Sequence, residues 1–270
     1  MKLLQNVDLL SQRLRNDNPL IHCITNYVTA NDCANAILSV GGSPIMADDK
    51  NEVIEIVTIS KALVLNMGTL NERTIESMLV AGKQANKLQI PVILDPVGAG
   101  ASSFRNDTVK RILEQVSVSV VRGNISEVSY LAGLHVNTKG VDASVKDNND
   151  SVKVATKVAN QLHCTVAITG AIDVIADGAR IIKIHNGTDK MSHVTGTGCM
   201  TSAILGAFHG VTEDGFLAAV AAIVYMGIAG EVAWETVGKY GLGSFRIGIV
   251  DALSTINAEK LKEMARIEEL

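Results

Sequence analysis

Short apolar runs recur along the chain, separated by longer stretches in which apolar and polar residues alternate with a helical period. The runs at 20–25, 43–47, 62–66, 91–95, 118–121 and 165–169 predict strands. They are uninterrupted rather than alternating, which is the pattern of strands buried on both faces of a parallel sheet. The stretches at 31–40, 52–59, 71–88, 104–115, 126–131 and 151–162 predict the helices that cover those faces. One segment departs from this rhythm. Residues 174–176 and 181–184 flank Asp177-Gly178, a hairpin turn, so the sheet is expected to gain an antiparallel edge. From Gly198 onward the chain reads as helical and alanine-rich, and residues 139–150 read as a polar surface excursion. No repeat or linker divides the chain, so residues 1–270 are read as one α/β domain with a mostly parallel central sheet.

Composition narrows the chemistry. Hydrophobic residues make up 47% of the chain and aromatic residues 3%, so the core is aliphatic and offers few rings for stacking bases. The net charge is −4 with no basic run, which argues against a nucleic-acid partner. Cysteines at 23, 33, 164 and 199 form neither a C-x-x-C pair nor a zinc spacing, and a reducing, cytoplasmic setting is expected. The first ten residues lack a cleavage-type signal. The uncharged stretch 216–230 is read as a core helix too short to span a bilayer, so no membrane partner is expected.

Ligands of an open parallel sheet collect at the carboxyl ends of its strands. Here those ends carry Asn26, Met67-Gly68, Asp95-Pro96-Val97-Gly98-Ala99-Gly100, Arg122-Gly123-Asn124 and Thr169-Gly170. Asp95 follows a wholly apolar strand and reads either as a Mg²⁺-linked or catalytic acid, or as the start of an Asp-Pro turn. Asn124 and Glu127 have the spacing of a capping box, which is a structural reading as good as a functional one. Arg122 beside them places a guanidinium where phosphate oxygens would sit.

The strongest feature is the turn Gly196-Thr197-Gly198-Cys199, which opens a helix. Its backbone N–H groups and the helix dipole make an anion site. It is neither a Walker A motif, since no G-K-[ST] follows, nor a dinucleotide fingerprint. Cys199 falls in the first helical turn, where a thiol pKa is expected to drop, so it reads as a base toward a hydroxyl or as a small packing residue. Cys23, Cys33 and Cys164 sit in apolar runs and read as inert core. None of the six histidines has ligand spacing, though His193 stands close to the anion turn.

These blocks, together with Pro19-Leu20-Ile21-His22-Cys23-Ile24-Thr25-Asn26-Tyr27-Val28 and Ser43-Pro44-Ile45-Met46-Ala47, resemble the hydroxyethylthiazole kinases of the ribokinase-like superfamily. The resemblance runs nearly end to end. It implies a three-layer α/β/α fold and ATP- and Mg²⁺-dependent phosphorylation of the hydroxyl of 4-methyl-5-(2-hydroxyethyl)thiazole in thiamine salvage. By the same resemblance Asn26, Met46 and Gly196 border the thiazole, and Arg122 and Thr169 bind ATP. Asp95 and Glu127 arrange Mg²⁺ and phosphates, and Cys199 stands where most of the superfamily has an aspartate base. It further implies a homotrimer whose sites are completed by a neighbouring subunit. Two alternatives share the fold: kinases of other vitamin precursors, such as a hydroxymethylpyrimidine or pyridoxal, and an ATP-dependent dehydratase of hydrated nicotinamide cofactors. The block around Asn26 and Met46 argues against the first, and a cysteine rather than an aspartate at 199 argues against both.

Overall fold

The computed structural model describes residues 2–134, 138–139, 142–143 and 150–270. The chain begins with α1 (Lys2–Asp17), β1 (Leu20–Ile24), α2 (Ala30–Val40), β2 (Ser43–Ile45), α3 (Val53–Ile59) and β3 (Ala62–Asn66). It continues through α4 (Glu72–Lys87), β4 (Val92–Asp95), α5 (Ser103–Gln115), β5 (Val120–Asn124) and α6 (Ile125–Leu131). A small hairpin, β6 (Thr138–Lys139) and β7 (Asp142–Ala143), precedes α7 (Ser151–Leu162), β8 (Thr165–Thr169), β9 (Asp173–Ala176) and β10 (Ile181–Ile184). Then come α8 (Thr197–His209), α9 (Gly215–Val237), α10 (Leu242–Thr255), α11 (Ala258–Met264) and β11 (Ile267–Glu269). The polar segment 139–150, expected to be a surface excursion, lies outside the described residues apart from these short strand pieces and its last residue.

Nine strands share one sheet in the order β11-β10-β9-β8-β5-β4-β3-β1-β2. From β8 to β2 all neighbours are parallel. The anticipated hairpin is β9 and β10, and it supplies the antiparallel edge. The edge extends one strand further than the sequence reading, because β11 pairs with β10. Its Glu268 faces the oppositely charged Lys183 at 3.8 Å and hydrogen-bonds His185 at 3.1 Å, contacts that support a pairing that hydrophobic pattern did not announce.

Successive strand residues point to opposite faces, and both faces are dry. Val64, Ile93, Val120 and Ala167 face a core built with α1, α2, α8, α9 and α10. Leu63, Leu65, Leu94 and Val166 face a second core built with α3, α4, α5 and α7. The result is the expected three-layer α/β/α arrangement.

Three differences from the sequence reading matter for the site. Strand β5 runs to Asn124 rather than ending at 121, because Arg122 and Asn124 keep their backbone register with Ala167 and Thr169 of β8. Arg122 therefore projects from the ladder itself and not from a loop beyond it. Helix α8 starts at Thr197, so Gly196 is its N-cap and the anion turn is its first turn. Helix α1, which the sequence reading did not assign, buries Val7, Leu10, Ser11 and Leu14, and Tyr225 of α9 donates a hydrogen bond to the Ser11 hydroxyl at 2.6 Å.

The core-helix reading of residues 216–230 is borne out, although the helix they belong to is longer than that stretch. The helical span Gly215–Tyr240 is long and apolar enough to cross a bilayer, yet 83% of its apolar window is buried inside the protein, so it is a core helix.

Helix α8 lies close to the sheet because Gly206 faces it. A Cβ there would come within 2.5 Å of Val64 Cγ2 and 3.3 Å of Ile21 Cγ2. Both neighbours are β-branched and stiff at χ1. Gly206→Ala gains about 1 kcal/mol of helix propensity but overpacks this contact at a cost of about 1–3 kcal/mol. The expected outcome is net destabilisation in urea unfolding, and a stabilised variant would contradict the seating of α8.

Candidate active site

The carboxyl ends of β1, β3, β4, β5 and β8 converge on the N-terminus of α8. Two cavities open there. One, of about 830 Å³, is bordered by Asn26, Thr29, Asp95, Glu127, Gly196 and Cys199. The other, of about 740 Å³, is bordered by Thr169, Gly170, Asp173, Asn186, Thr188 and Thr201. Arg122, Asn124, Met191, Ser192, Thr197 and Gly198 border both, so the two cavities share a wall made of the β5 end, the first turn of α8 and the short segment at 191–192.

Each glycine of the turn has a physical reason. Gly196 has φ +92° in the left-handed region, and a Cβ on it would lie 2.7 Å from Thr29 Cγ2. Gly198 has the Arg122 guanidinium against its backbone, where a Cβ would lie 2.6 Å from Nη1. Arg122 in turn donates to Thr169 Oγ1, and its Nη1 stands 3.6 Å from Asp95 Oδ2, while its Nε has no partner. A largely enclosed guanidinium thus occupies the shared wall with donor capacity in reserve.

Asp95 is fully buried. Its Oδ2 accepts from Asn66 Nδ2 at 2.9 Å and from Ser202 Oγ at 2.7 Å, whereas its Oδ1 has no partner. Burial raises its pKa against the lowering effect of Arg122 and these two donors. Glu127 is held differently. Its Oε1 accepts from Gly98 N–H at 2.9 Å and its Oε2 from Asn124 N–H at 2.8 Å, while Asn124 Oδ1 accepts from Glu127 N–H. The capping box is therefore real, and it delivers the Glu127 carboxylate to the cavity at the same time. Burial, followed by the neighbouring Asp95, raises the Glu127 pKa.

Among the described residues no group of three or more His, Cys, Asp or Glu side chains could hold a metal. Mg²⁺ does not need one, since it takes one or two carboxylates and fills its shell with water and phosphate. The unpartnered, buried Oδ1 of Asp95, with Glu127 on the same cavity, fits that mode of binding.

Cys199 Sγ lies 3.3 Å from both Asn26 Nδ2 and Asn66 Nδ2. The expectation that the helix N-terminus lowers its pKa is reversed. Burial, and then the Asp95 charge, raise it, so the protonated thiol is favoured at neutral pH. The other three cysteines are buried as expected, and burial pushes Cys33 and Cys164 up to about 12.

The structure thus brings together Asn26, Asp95, Arg122, Glu127, Thr169, Gly196, Thr197, Gly198 and Cys199. Met46 stands apart, just past edge strand β2, partly buried against the core and on neither cavity. The sequence reading missed Asn66, the last residue of a buried strand, and Ser202, one turn after Cys199 on α8. It also missed Arg105, whose guanidinium donates to the carbonyls of Met67, Gly68 and Val97 and so ties two rim loops together. A polar residue ending an apolar strand was a usable signal for Asn66. No local pattern marks Arg105.

A family model for the hydroxyethylthiazole kinase family matches residues 11–259. The chain belongs to the hydroxyethylthiazole kinase family. A hydroxyethylthiazole kinase from Clostridium beijerinckii is 56% identical over 265 residues, covering 97% of this chain and 96% of that protein. The solved structure of hydroxyethylthiazole kinase from Pyrococcus horikoshii OT3 superposes with a TM-score of 0.90 at 38% identity, covering 98% of this chain and 99% of that one. A ribokinase-like superfamily protein from Enterococcus faecalis matches with a TM-score of 0.66 at 12% identity, covering 94% and 88%, and shows the shared ribokinase-like fold alone.

The half-buried setting of Cys199 in this hydroxyethylthiazole kinase family member has a direct consequence. Iodoacetamide is expected to label Cys199 before the other cysteines, slowly at neutral pH. The rate should still climb past about pH 10, where an ordinary thiol of pKa about 8.5 has levelled off. Peptide mass spectrometry across a pH series reads this, and a plateau below that range would contradict the burial argument.

Proposed function

We propose that this chain transfers the γ-phosphoryl group of ATP to the primary alcohol of 4-methyl-5-(2-hydroxyethyl)thiazole, in keeping with relatives that are named hydroxyethylthiazole kinases. The observation that carries the reading is the shared wall. A nucleotide in the cavity beside Thr169 and Asp173 and an alcohol in the cavity beside Asn26 and Cys199 would meet at Thr197 and Gly198.

At that junction the alcohol oxygen attacks the γ-phosphorus, the bond to the β-phosphate oxygen breaks, and ADP leaves. Transfer of this kind depends mainly on positioning and charge neutralisation. The first-turn N–H groups of α8 and its dipole hold the transferring oxygens, and Arg122 adds a guanidinium on the same wall. Asp95 and Glu127 would hold Mg²⁺, which when bound would neutralise phosphate charge. Thr169 fixes Arg122 as well as bordering the nucleotide side. Asn26 Oδ1 is occupied by the N–H and hydroxyl of Thr29, and its Nδ2 by Asn66 and Cys199, which makes it a rigid floor for the thiazole. The raised pKa of Cys199 keeps its thiol protonated at neutral pH, so only a small thiolate fraction can take the proton of the alcohol, and the proton otherwise passes to phosphate.

The open side of the acceptor cavity supports a homotrimer with shared sites. Val28 borders the cavity and, like Tyr27 beside it, is exposed, and Met46 lies off it, a layout that a neighbouring subunit would complete.

In a coupled ADP-release assay, turnover is expected with hydroxyethylthiazole and not with hydroxymethylpyrimidine or pyridoxal, from a protein that sediments as a trimer. No turnover with the thiazole would sink the assignment. Cys199→Asp is expected to keep turnover or raise it by up to about tenfold, because at neutral pH a carboxylate is a better base than a protonated thiol. A folded Cys199→Asp protein without activity would show that the thiol contributes something that a carboxylate cannot.

A further inference from the structure

The two carboxylates of the site are solvated in opposite ways. Glu127 divides its donors, one backbone N–H to each oxygen. Asp95 receives both of its hydrogen bonds, and the closest guanidinium nitrogen, on Oδ2 alone. Its Oδ1 receives nothing although it is enclosed. Were the donors there only to offset burial of a charge, the bare oxygen would be an expensive arrangement.

Ser202 sharpens the point. Buried serine and threonine hydroxyls on helices commonly bond back to the carbonyl four residues earlier, as Thr201 does to Thr197 at 2.8 Å. Ser202, fully buried next to it, instead donates across the core to Asp95 at 2.7 Å, a short and well-formed bond. Asn66 has no freedom to move. Its Oδ1 accepts from Gly68 N–H and Asn26 Nδ2, and its Nδ2 serves Asp95 and Cys199, so both ends of the amide are fixed.

We infer that Ser202 and Asn66 are positioning residues for Asp95, clamping Oδ2 so that Oδ1 stays available to the divalent cation that accompanies the nucleotide. The inference rests on the reading of Asp95 as a cation-holding residue. Ser202 reaches the carboxylate only because α8 is seated closely on the sheet. The same helix thus supplies the phosphate-facing N–H groups from its first turn and the clamp from its second.

The test compares Ser202→Ala, Ser202→Thr, Asn66→Leu and Asp95→Asn with the native protein. Two readouts are used: steady-state kinetics with hydroxyethylthiazole, and Mn²⁺ affinity by electron paramagnetic resonance in the presence of a non-hydrolysable ATP analogue. Ser202→Ala and Asn66→Leu should each lower kcat about tenfold or more. Mn²⁺ affinity should fall with it, while the thiazole KM after Ser202→Ala stays within about twofold. Ser202→Thr, which keeps the hydroxyl, should recover both readouts. Native kcat and Mn²⁺ affinity in Ser202→Ala or in Asn66→Leu would overturn the clamp, as would a folded Ser202→Thr protein no better than Ser202→Ala. Asp95→Asn separates the two levels. If it keeps native turnover and Mn²⁺ affinity, the reading of Asp95 itself fails. If it loses both while Ser202→Ala is unaffected, only the clamp fails.

Discussion

Holding a carboxyl group in a dry interior is the constraint around which this site is built. Asp95 is fully buried at the end of β4, and an isolated charge there would neutralise or destabilise the fold. Three elements answer it: Asn66 from β3, Arg122 from β5 and Ser202 from α8. Each answer imposes a further demand. Arg122 can approach Asp95 only by lying against a residue without a side chain, which is Gly198. Ser202 can reach Asp95 only if α8 sits low on the sheet, which Gly206 permits over Val64 and Ile21. The Gly196 turn then sets where the helix begins, and with it where the free N–H groups point. The phosphate-facing turn and the buried carboxylate are therefore one construction.

This coupling explains why the fold was more legible in the sequence than the site. Uninterrupted apolar strands between helices of regular period are local patterns, and they led directly to the parallel sheet and its two cores. The exceptions were elements whose signal is weak or long-range. Helix α1 has its buried residues at 7, 10 and 14, a helical spacing easily passed over beside a terminus. Strand β11 is acidic and short, and its pairing with β10 is long-range, with Glu268 meeting Lys183 and His185 across the ladder.

At the site, residues with a special backbone role were readable: glycines at a helix start, Asp95 ending an apolar strand, and Asn124 with Glu127 at capping distance. Residues whose role is to hold another residue were not. Ser202 looks like any small polar residue in a small-residue helix, and Arg105 like any exposed helical cation. Their importance comes from partners 107 and 38 positions away. The Cys199 expectation failed for a related reason. A helix N-terminus lowers a thiol pKa, but only the folded structure shows that the thiol is also largely desolvated beside Asp95, and those two effects outweigh it.

The same neighbourhood gives a reason for a thiol at this position. A carboxylate at 199 would share the Asn66 amide with Asp95 and place a second acidic group beside one already buried. A protonated thiol accepts the two amide N–H groups without adding charge, which leaves Arg122 and the helix dipole to the phosphate instead of to a second acid. Phosphoryl transfer tolerates a weak base when the reactants are well placed. The chain thus trades basicity at Cys199 for an uncrowded anion site, and the weight of catalysis shifts to the geometry that Asn66, Ser202 and Gly198 maintain.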